Sequence, residues 1–377
     1  MKNLAKTLQG SKLLEMSILR KGYALALVAG EHALQVGPYG QAKTFGFDEF
    51  VGATDLEKHD HTTISGYKGA MDEILVGYPN TGALMEGRWE PMRGPSMLNR
   101  KVVYVDEIDK IHPATQAILL QLLQSRRFSR GGVDLEIPLE FCVAGGNEPP
   151  PDGPVRDRFA VQFPVELSPE GMLRLISWGQ ETREEERAQG RGEIRWEEIR
   201  EARGERARVV ISKPAKDLMM ALATEFGMSP RRLAQYFVKL VQANATLRGV
   251  VNATVIDVYE VAPYVALFKG PLTMQAFVGI KERLDQERAK LGLAEAAERE
   301  IGKLTTAMTE MRAAMEAGCP EDAEEMMRVL VKVQNLAQAM VEVKNPDDFK
   351  EWAGKIREVL AKAETVHHEV LQTLKLA

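Results

Sequence analysis

The stretch LQVGPYGQAKTF, residues 34–45, decides the fold that this sequence predicts. A short apolar run leads into GPYGQAKT (37–44), which nearly matches the phosphate-binding loop G-x-x-x-x-G-K-[ST]. Such loops place backbone N–H groups and the N-terminus of the next helix around phosphate oxygens. Ala42 stands where the last glycine of the pattern should be. Because alanine adds only one methyl group, we expect the loop to keep its shape if the φ angle of Ala42 stays negative.

Two residues at the end of the loop carry the chemistry that the pattern predicts. Lys43 would reach the β and γ phosphates of a nucleotide, and Thr44 would offer its hydroxyl to Mg²⁺. The other interpretation is a strand-to-helix turn whose glycines serve only tight packing. Neither interpretation explains Tyr39.

Two carboxylates end a later apolar strand. KVVYVDE (101–107) reads as a buried strand that finishes in Asp106 and Glu107. The carboxyl ends of parallel strands open onto the ligand crevice, so we expect these acids beside the phosphate loop. One can hold the magnesium shell while the other orients and polarises an attacking water. Their alternative role is to cap the helix that follows.

Polar residues farther along the chain complete the predicted site. Asn147 ends the apolar strand FCVAGGN (141–147), where its amide can hydrogen-bond a γ-phosphate or an attacking water. Arg156 and Arg158 follow in GPVRDRF (153–159), and phosphoryl transfer commonly uses a guanidinium to stabilise transition-state charge. A turn-forming asparagine and surface arginines are the alternative interpretation.

The segment GMSPRRLAQYF (227–237) predicts one more anion contact. Ser229 is expected to cap a helix whose first residue is Pro230, which places Arg231 and Arg232 in the first turn. Cations in that position oppose the helix dipole. We therefore expect Arg231 to contact a nearby phosphate.

Apolar strands that alternate with helices predict a parallel sheet with helices on both faces, an α/β fold. The pattern predicts helices over 11–30, from Lys43, and over 113–124, and a strand over 61–67. It also predicts a hairpin over 83–98 and a second over 126–139, the latter turning at Gly131 and Gly132.

The same patterns divide the 377 residues into four parts. They are an α/β nucleotide-binding core (1–168), a solvated, partly helical charged connector (169–208), an all-α lid (209–268) and a long all-α C-terminal extension (269–377) of three or four helices. An interaction arm, an oligomer clamp, a substrate docking module and a bundle packed on the core are the open roles of the extension.

Charge and cysteine content limit the other classes of function. The net charge of −5 argues against a dedicated nucleic-acid binder. Cys142 and Cys319 lie far apart and predict neither a disulfide framework nor a zinc site, which favours a reducing, cytoplasmic location. The sequence shows no signal peptide and no apolar run long enough to span a bilayer.

Over about residues 10–268, the sequence resembles an AAA+ ATPase. The resemblance lies in the order and spacing of five features: the phosphate loop, the Asp-Glu strand, the Asn strand, the arginine loop and the Ser-Pro-Arg helix. More narrowly they resemble the MoxR branch, which carries hairpins before the Asp-Glu and Asn strands. RavA-type members of that branch tend to carry G-P-P-G-x-A-K-[ST], with alanine before the lysine. Here Tyr39 replaces the second proline.

The resemblance implies a role for each matching residue. Thr44 and Asp106 would hold Mg²⁺, and Glu107 and Asn147 would act on the attacking water. Arg158, or else Arg156, would be supplied to the site of a neighbouring subunit. ATP would be bound by the following residues: Gly37, Pro38, Gly40, Gln41, Ala42, Lys43, Thr44 and Arg231.

The function implied is that of a ring-forming, Mg²⁺-dependent ATP hydrolase, expected to be a hexamer, that remodels or chaperones a protein partner. Proteins with a von Willebrand A domain are the expected partners, because members of the branch are often paired with them. A nucleotide-gated assembly or scaffold protein with slow turnover is the alternative. A nucleic-acid motor stays open because of basic residues in the predicted hairpins: Arg88, Arg93, Arg126, Arg127 and Arg130.

Overall fold

A five-stranded sheet organises the N-terminal part of the chain, with the order β2-β3-β6-β1-β7 and every neighbouring pair parallel. Its strands are β1 (His32–Val36), β2 (His61–Ser65), β3 (Val102–Asp106), β6 (Phe141–Gly146) and β7 (Phe159–Pro164). This structure, a computed structural model, describes residues 17–88, 90, 94–130, 133–149, 153–167, 194–266 and 273–317, with the single positions 328, 331, 358, 361, 362, 365, 368 and 372.

Strands β1, β6 and β7 are buried along their whole length, which is expected where helices cover both faces of a sheet. The predicted parallel α/β sheet is therefore confirmed. Strand β7 was not predicted, although it is fully buried and pairs with β1. The longer helices of this part are α1 (Ser17–Ala29), α2 (Lys43–Ala53) and α5 (Pro113–Ser125), and a short helix, α6 (Gly153–Asp157), lies between β6 and β7. Gly30, with φ +72°, ends α1, and Pro113 begins α5, both as predicted.

The segment predicted as a hairpin before β3 begins inside a short helix, and none of its described residues lies in a strand. Two short helices, α3 (Glu73–Val76) and α4 (Thr81–Met85), lie between β2 and β3. The side chain of Asn80 accepts hydrogen bonds from the backbone of Gly82 at 3.0 Å and Ala83 at 3.4 Å. An asparagine in this position starts a helix, so the hairpin prediction is wrong for residues 83–85.

The second predicted hairpin is confirmed. Strands β4 (Arg127–Arg130) and β5 (Val133–Glu136) pair antiparallel, with Arg130 opposite Val133. The predicted turn at 131–132 lies outside the described residues.

Part of the predicted solvated connector is a packed helix, α7 (Trp196–Arg206). Trp196, Ile199 and Ala202 are buried on one face, while the charged residues lie on the other. The helix confirms the partly helical character predicted for this segment, but the prediction that the segment is solvated is wrong for the face that these three residues bury. Residues 168–193 of the same segment lie outside the described part.

The segment predicted as an all-α lid is mainly helical. Its helices are α8 (Lys213–Glu225), a π-helical turn (Arg232–Phe237), α9 (Val238–Leu247) and α10 (Val255–Val265). Two short strands, β8 (Val210–Ile211) and β9 (Asn252–Ala253), pair parallel within it and were not predicted.

A helix of 44 residues, α11 (Met274–Ala317), begins the C-terminal extension. By its contacts the chain divides into two compact units, Met1–Glu282 and Arg283–Ala377. The further helices predicted for the extension fall beyond residue 317 and mostly outside the described residues. Within the described part of the chain, no helix has the length and apolar character that a membrane span requires.

Candidate functional site

The phosphate-loop segment leaves β1 and is held between the ends of β6 and β7. The backbone N–H of Gly37 donates to the carbonyl of Gly146 at 3.1 Å, and that of Val165 donates to Val36 at 2.8 Å. A Cβ atom at position 37 would lie 2.0 Å from the carbonyl oxygen of Val165. Only glycine fits there, so the first glycine of the pattern serves close approach of two backbones.

Ala42 adopts the left-handed conformation, with φ +56° and ψ 28°. The condition under which the loop was expected to keep its shape, a negative φ at this residue, is therefore not met. Its carbonyl already accepts a bond from the backbone of Gly46 at 2.9 Å, so the chain must turn sharply at Ala42 to enter α2. A non-glycine residue in this region costs roughly 1–2 kcal/mol, which the bonds around the loop offset.

Lys43, the first residue of α2, directs its ammonium group to the loop. Its Nζ donates to the carbonyls of Gly37 at 2.6 Å and Pro38 at 2.9 Å, and to Oδ1 of Asn147 at 3.2 Å. Partial burial lowers the pKa of Lys43, and the nearby carboxylates, Asp106 foremost, oppose that shift. The two residues predicted from separate segments, Lys43 and Asn147, are thus in direct contact.

Thr44 and Asp106 also meet. The hydroxyl of Thr44 lies 3.1 Å from Oδ2 of Asp106. The other carboxylate oxygen of Asp106 accepts the backbone N–H of Glu107 at 2.9 Å and faces the hydroxyl of Tyr104 at 3.4 Å. The carboxylate predicted to hold magnesium is therefore fixed at both oxygens.

A chain of buried, hydrogen-bonded polar groups leads to the Asp106 carboxylate. The amide of Gln35 donates to the hydroxyl of Tyr104 at 2.9 Å and to the carbonyl of Lys43 at 3.1 Å. Its oxygen accepts the hydroxyl of Tyr23 at 3.0 Å. Burial raises the pKa of both tyrosines, so their hydroxyls stay protonated at neutral pH. Gln35 therefore ties the start of α2 to the strand that carries Asp106.

Glu107 follows with a left-handed backbone, φ +52°, and starts a single 3₁₀ turn, Ile108–Lys110. Its carboxylate forms an ion pair with Nζ of Lys110. That hydrogen bond is the main reason why the pKa of Lys110 is raised. The same ammonium lies 5.5 Å from the centre of the Tyr39 ring.

These elements enclose a cavity of about 330 Å³. Its lining consists of residues 39–45 with Asp106, Glu107, Gly146 and Asn147. Five of the predicted nucleotide-binding residues, those from Gly40 to Thr44, are in the lining. Gly37 and Pro38 are not, and they contact the site through their carbonyls on Lys43.

The two arginines predicted to act on a neighbouring subunit lie outside the lining of this cavity. Nε of Arg156 donates to Gln162 at 3.3 Å, and burial lowers its pKa. Arg158 forms an ion pair with Asp157 at 3.2 Å and donates to Gln124 at 3.1 Å, with 11% of its side chain exposed. Neither arginine is among the residues that line the cavity with Asp106 and Glu107.

The arginine predicted to contact phosphate from the helical part, Arg231, also lies outside the lining. Ser229 does cap this helix, because its hydroxyl accepts the backbone N–H of Arg232 at 3.1 Å, as predicted. Nε of Arg231 donates to Gln235 of the same helix at 2.9 Å.

Its neighbour Arg232 is fully buried and was missed by the sequence reasoning. It donates to Asp157 at 3.3 Å and to the carbonyls of Phe159, Ala160 and Val265 at 3.2, 3.1 and 2.6 Å. Burial lowers its pKa to about 10, and Asp157 opposes that shift. Arg232 therefore joins the helical part of the chain to the segment that carries Arg156 and Arg158.

Two comparisons with known proteins show what the chain is similar to. Residues 6–204 match the family described as the MoxR domain in the MoxR-vWA-beta-propeller ternary systems. The fold is similar to the crystal structure of a protein from Cytophaga hutchinsonii described as a candidate ATPase, with a TM-score of 0.59 and 19% identity. The match covers 76% of this chain and 94% of that one.

Proposed function

The chain belongs to the family of MoxR domains of the MoxR-vWA-beta-propeller ternary systems, and from this premise we propose that it is a ring-forming, magnesium-dependent ATPase that remodels a protein partner. One observation carries the proposal. Lys43, Thr44, Asp106, Glu107 and Asn147, which come from three separate segments, line one cavity beside the start of a helix. This is the arrangement that phosphoryl transfer from a nucleotide to water requires.

The donor atoms in the cavity fit a magnesium ion. The Thr44 hydroxyl and an Asp106 carboxylate oxygen are hard oxygen ligands 3.1 Å apart, and Mg²⁺ takes one or two protein oxygens together with substrate phosphates and water. When bound, the ion would neutralise charge on the phosphate oxygens. We assign Thr44 and Asp106 to hold it.

The side chains of this chain divide the reaction between them. Lys43 would exchange the loop carbonyls for phosphate oxygens and stabilise their charge. Glu107 would accept a proton from the attacking water while that water's oxygen bonds to the γ-phosphorus. The bond from the γ-phosphorus to its bridging oxygen breaks, which releases ADP. Asn147 would orient the water or the phosphate through its amide.

The arginines outside the cavity fit a site that two subunits complete. We propose that Arg158, or else Arg156, enters the cavity of a neighbouring subunit, and that Arg231 contacts the phosphates of its own. Support for the first part is that both arginines lie outside the cavity lining of their own chain. We also propose the domain limits at 168, 208 and 268 as the functional division of the chain.

The proposed partner is a protein with a von Willebrand A domain. Its support is the description of the family itself, which names a vWA component and a beta-propeller component. Capture with the Glu107→Gln variant in the presence of ATP, followed by identification of the bound proteins, tests this assignment. Recovery of neither a vWA nor a propeller protein would contradict it.

The basic residues of the predicted hairpins, which were the argument for a nucleic-acid motor, do not support that function. The described ones bond within the chain: Arg88 to Glu86 and Glu90, Arg126 to Gly30 and Leu139, Arg127 to Asp134, and Arg130 to Asp72. Arg93 lies outside the described residues.

Replacement of Glu107 tests the catalytic proposal. Glu107→Gln should bind ATP as the wild type does and lose about 100-fold or more of its hydrolysis rate, because the amide cannot accept the proton. Phosphate release and equilibrium nucleotide binding are the two measurements. Glu136→Gln, an exposed residue of β5, is the matched control and should hydrolyse at the wild-type rate. A wild-type chain that binds ATP but hardly turns it over would favour the nucleotide-gated scaffold instead.

A further inference from the structure

Tyr39, which the loop pattern does not explain, lies next to Lys110, the residue that forms an ion pair with Glu107. Its ring is 70% exposed and lines the cavity. The ammonium group of Lys110 lies 5.5 Å from the ring centre and also forms the ion pair with Glu107. Lys110 thus lies between an aromatic ring of the phosphate loop and the carboxylate proposed as the base.

The backbone after β3 brings Lys110 to this place. Glu107 has a positive φ and is followed by one 3₁₀ turn, closed by the backbone N–H of Lys110 donating to the carbonyl of Glu107 at 2.9 Å. Side chains at positions i and i+3 of such a turn eclipse each other. The 3₁₀ turn that follows Glu107 is therefore the local reason that the two charged groups meet.

Stability alone does not account for the pair. The side chain of Lys110 is 35% exposed and that of Glu107 is 34% exposed. An ion pair with this exposure contributes about 0–1 kcal/mol to folding. A glutamate with a left-handed backbone costs about 1–3 kcal/mol, which is at least as much as the ion pair contributes. The pairing of Lys110 with Glu107 therefore points to a role in the site.

We propose that Lys110, supported by the Tyr39 ring, is a positioning residue that holds the Glu107 carboxylate for proton transfer. With Oε1 bonded to the ammonium, Oε2 is the oxygen that accepts the proton of the attacking water. The ring of Tyr39 restrains the ammonium through a cation–π contact. This inference rests on the proposed ATPase function and adds two residues to it.

The test compares Lys110→Met with Lys110→Arg. The methionine removes the charge and should lower kcat by about 10- to 100-fold, since a displaced catalytic group costs that much. The dissociation constant for nucleotide should not change, and arginine should restore most of the rate. Tyr39→Leu should lower kcat by about 2- to 5-fold, and Tyr39→Phe by less. Lys101→Met removes a comparable ion pair, with Asp60, away from the cavity, and should hydrolyse at the wild-type rate.

A second comparison separates positioning from general damage. In a Glu107→Gln background, Lys110→Met should cause no further loss, because the group that it positions is already absent. A further loss there, or weaker nucleotide binding by Lys110→Met alone, would overturn the inference. So would wild-type turnover in Lys110→Met. If the wild-type chain itself does not hydrolyse ATP, the proposed function fails and this inference fails with it.

Discussion

Ala42 and Glu107 each keep a left-handed backbone beside the cavity, with φ +56° and +52°. Such residues cost of order 1–3 kcal/mol and persist where the surroundings determine them. At Ala42 the conformation starts α2, which brings Lys43 and Thr44 to the cavity. At Glu107 it starts the turn that returns Lys110 to the carboxylate. Neither angle is visible in the sequence, because alanine and glutamate both prefer negative φ.

His32, the first residue of β1, gives a pH dependence at the residue scale. Its Nδ1 accepts the backbone N–H of Cys142 at 3.1 Å. Burial, with the charges of Arg126 and Arg203 adding to it, lowers its pKa from 6.5 to about 3. Between these pH values the unfolded chain binds a proton that the folded chain does not, so stability falls as pH falls.

Urea unfolding at several pH values from 6.5 to 4 measures this contribution of His32. His32→Asn keeps an acceptor for Cys142 and should flatten the dependence of the unfolding free energy by up to about 1.4 kcal/mol per pH unit. His59→Gln is the control for loss of an imidazole elsewhere in the chain, because the His59 side chain is 72% exposed. Parallel curves for the wild type and His32→Asn would show that the buried imidazole is not the source.

At the scale of elements, the sequence predicted the strands that carry the site, because each is an apolar run that leads into a glycine loop or a polar residue. It missed β7, whose apolar run directly follows the arginine loop, and it predicted a hairpin where Asn80 caps a helix. It also took the charged helix α7 for solvated, although Trp196 and Ile199 bury one face. The many charged residues of this segment outweigh its apolar residues in the sequence, and three apolar positions are too few to predict a buried helix face.

The helix that begins at Pro230 offers two adjacent arginines with opposite environments. Arg232 is fully buried and bonds to Asp157 and three carbonyls, whereas Arg231 bonds only within its helix among the contacts described. Arg232→Met should lower the free energy of unfolding by about 3–5 kcal/mol, because it leaves a carboxylate and carbonyls without their donor.

Arg231→Met, the matched neighbour, should change the unfolding free energy by less than about 0.5 kcal/mol. If Arg231 contacts phosphate as proposed, the same variant should weaken ATP binding. Chemical unfolding and nucleotide titration of both variants give the comparison. Equal stability losses would mean that the burial of Arg232 does not carry the packing between the helical part and β7.

At the scale of the whole molecule, every residue of the cavity lies in the compact unit Met1–Glu282. The family match ends at residue 204, within that unit. The nucleotide site is therefore the part of the proposed function that the sequence predicts best, because each of its motifs is a short, continuous stretch of residues. The predicted ring, its partner and the role of the extension depend on surfaces, which short motifs do not encode.

Mixed assemblies test whether neighbouring subunits complete each other's sites. Arg158→Ala and Glu107→Gln should each be inactive alone. When they are mixed, a site with an intact Glu107 can receive Arg158 from an adjacent Glu107→Gln subunit, so part of the hydrolysis should return. Phosphate release at several mixing ratios measures the recovery.

The control mixes Glu107→Gln with Lys43→Ala. Both residues act within their own chain, so no site in that mixture has a complete set and no activity should return. Arg156→Ala, mixed in the same way, distinguishes the two candidate arginines, because only the arginine that crosses the interface allows recovery. Subunits shown by crosslinking to mix, yet without recovery for either arginine, would mean that each chain hydrolyses ATP without a residue from its neighbour.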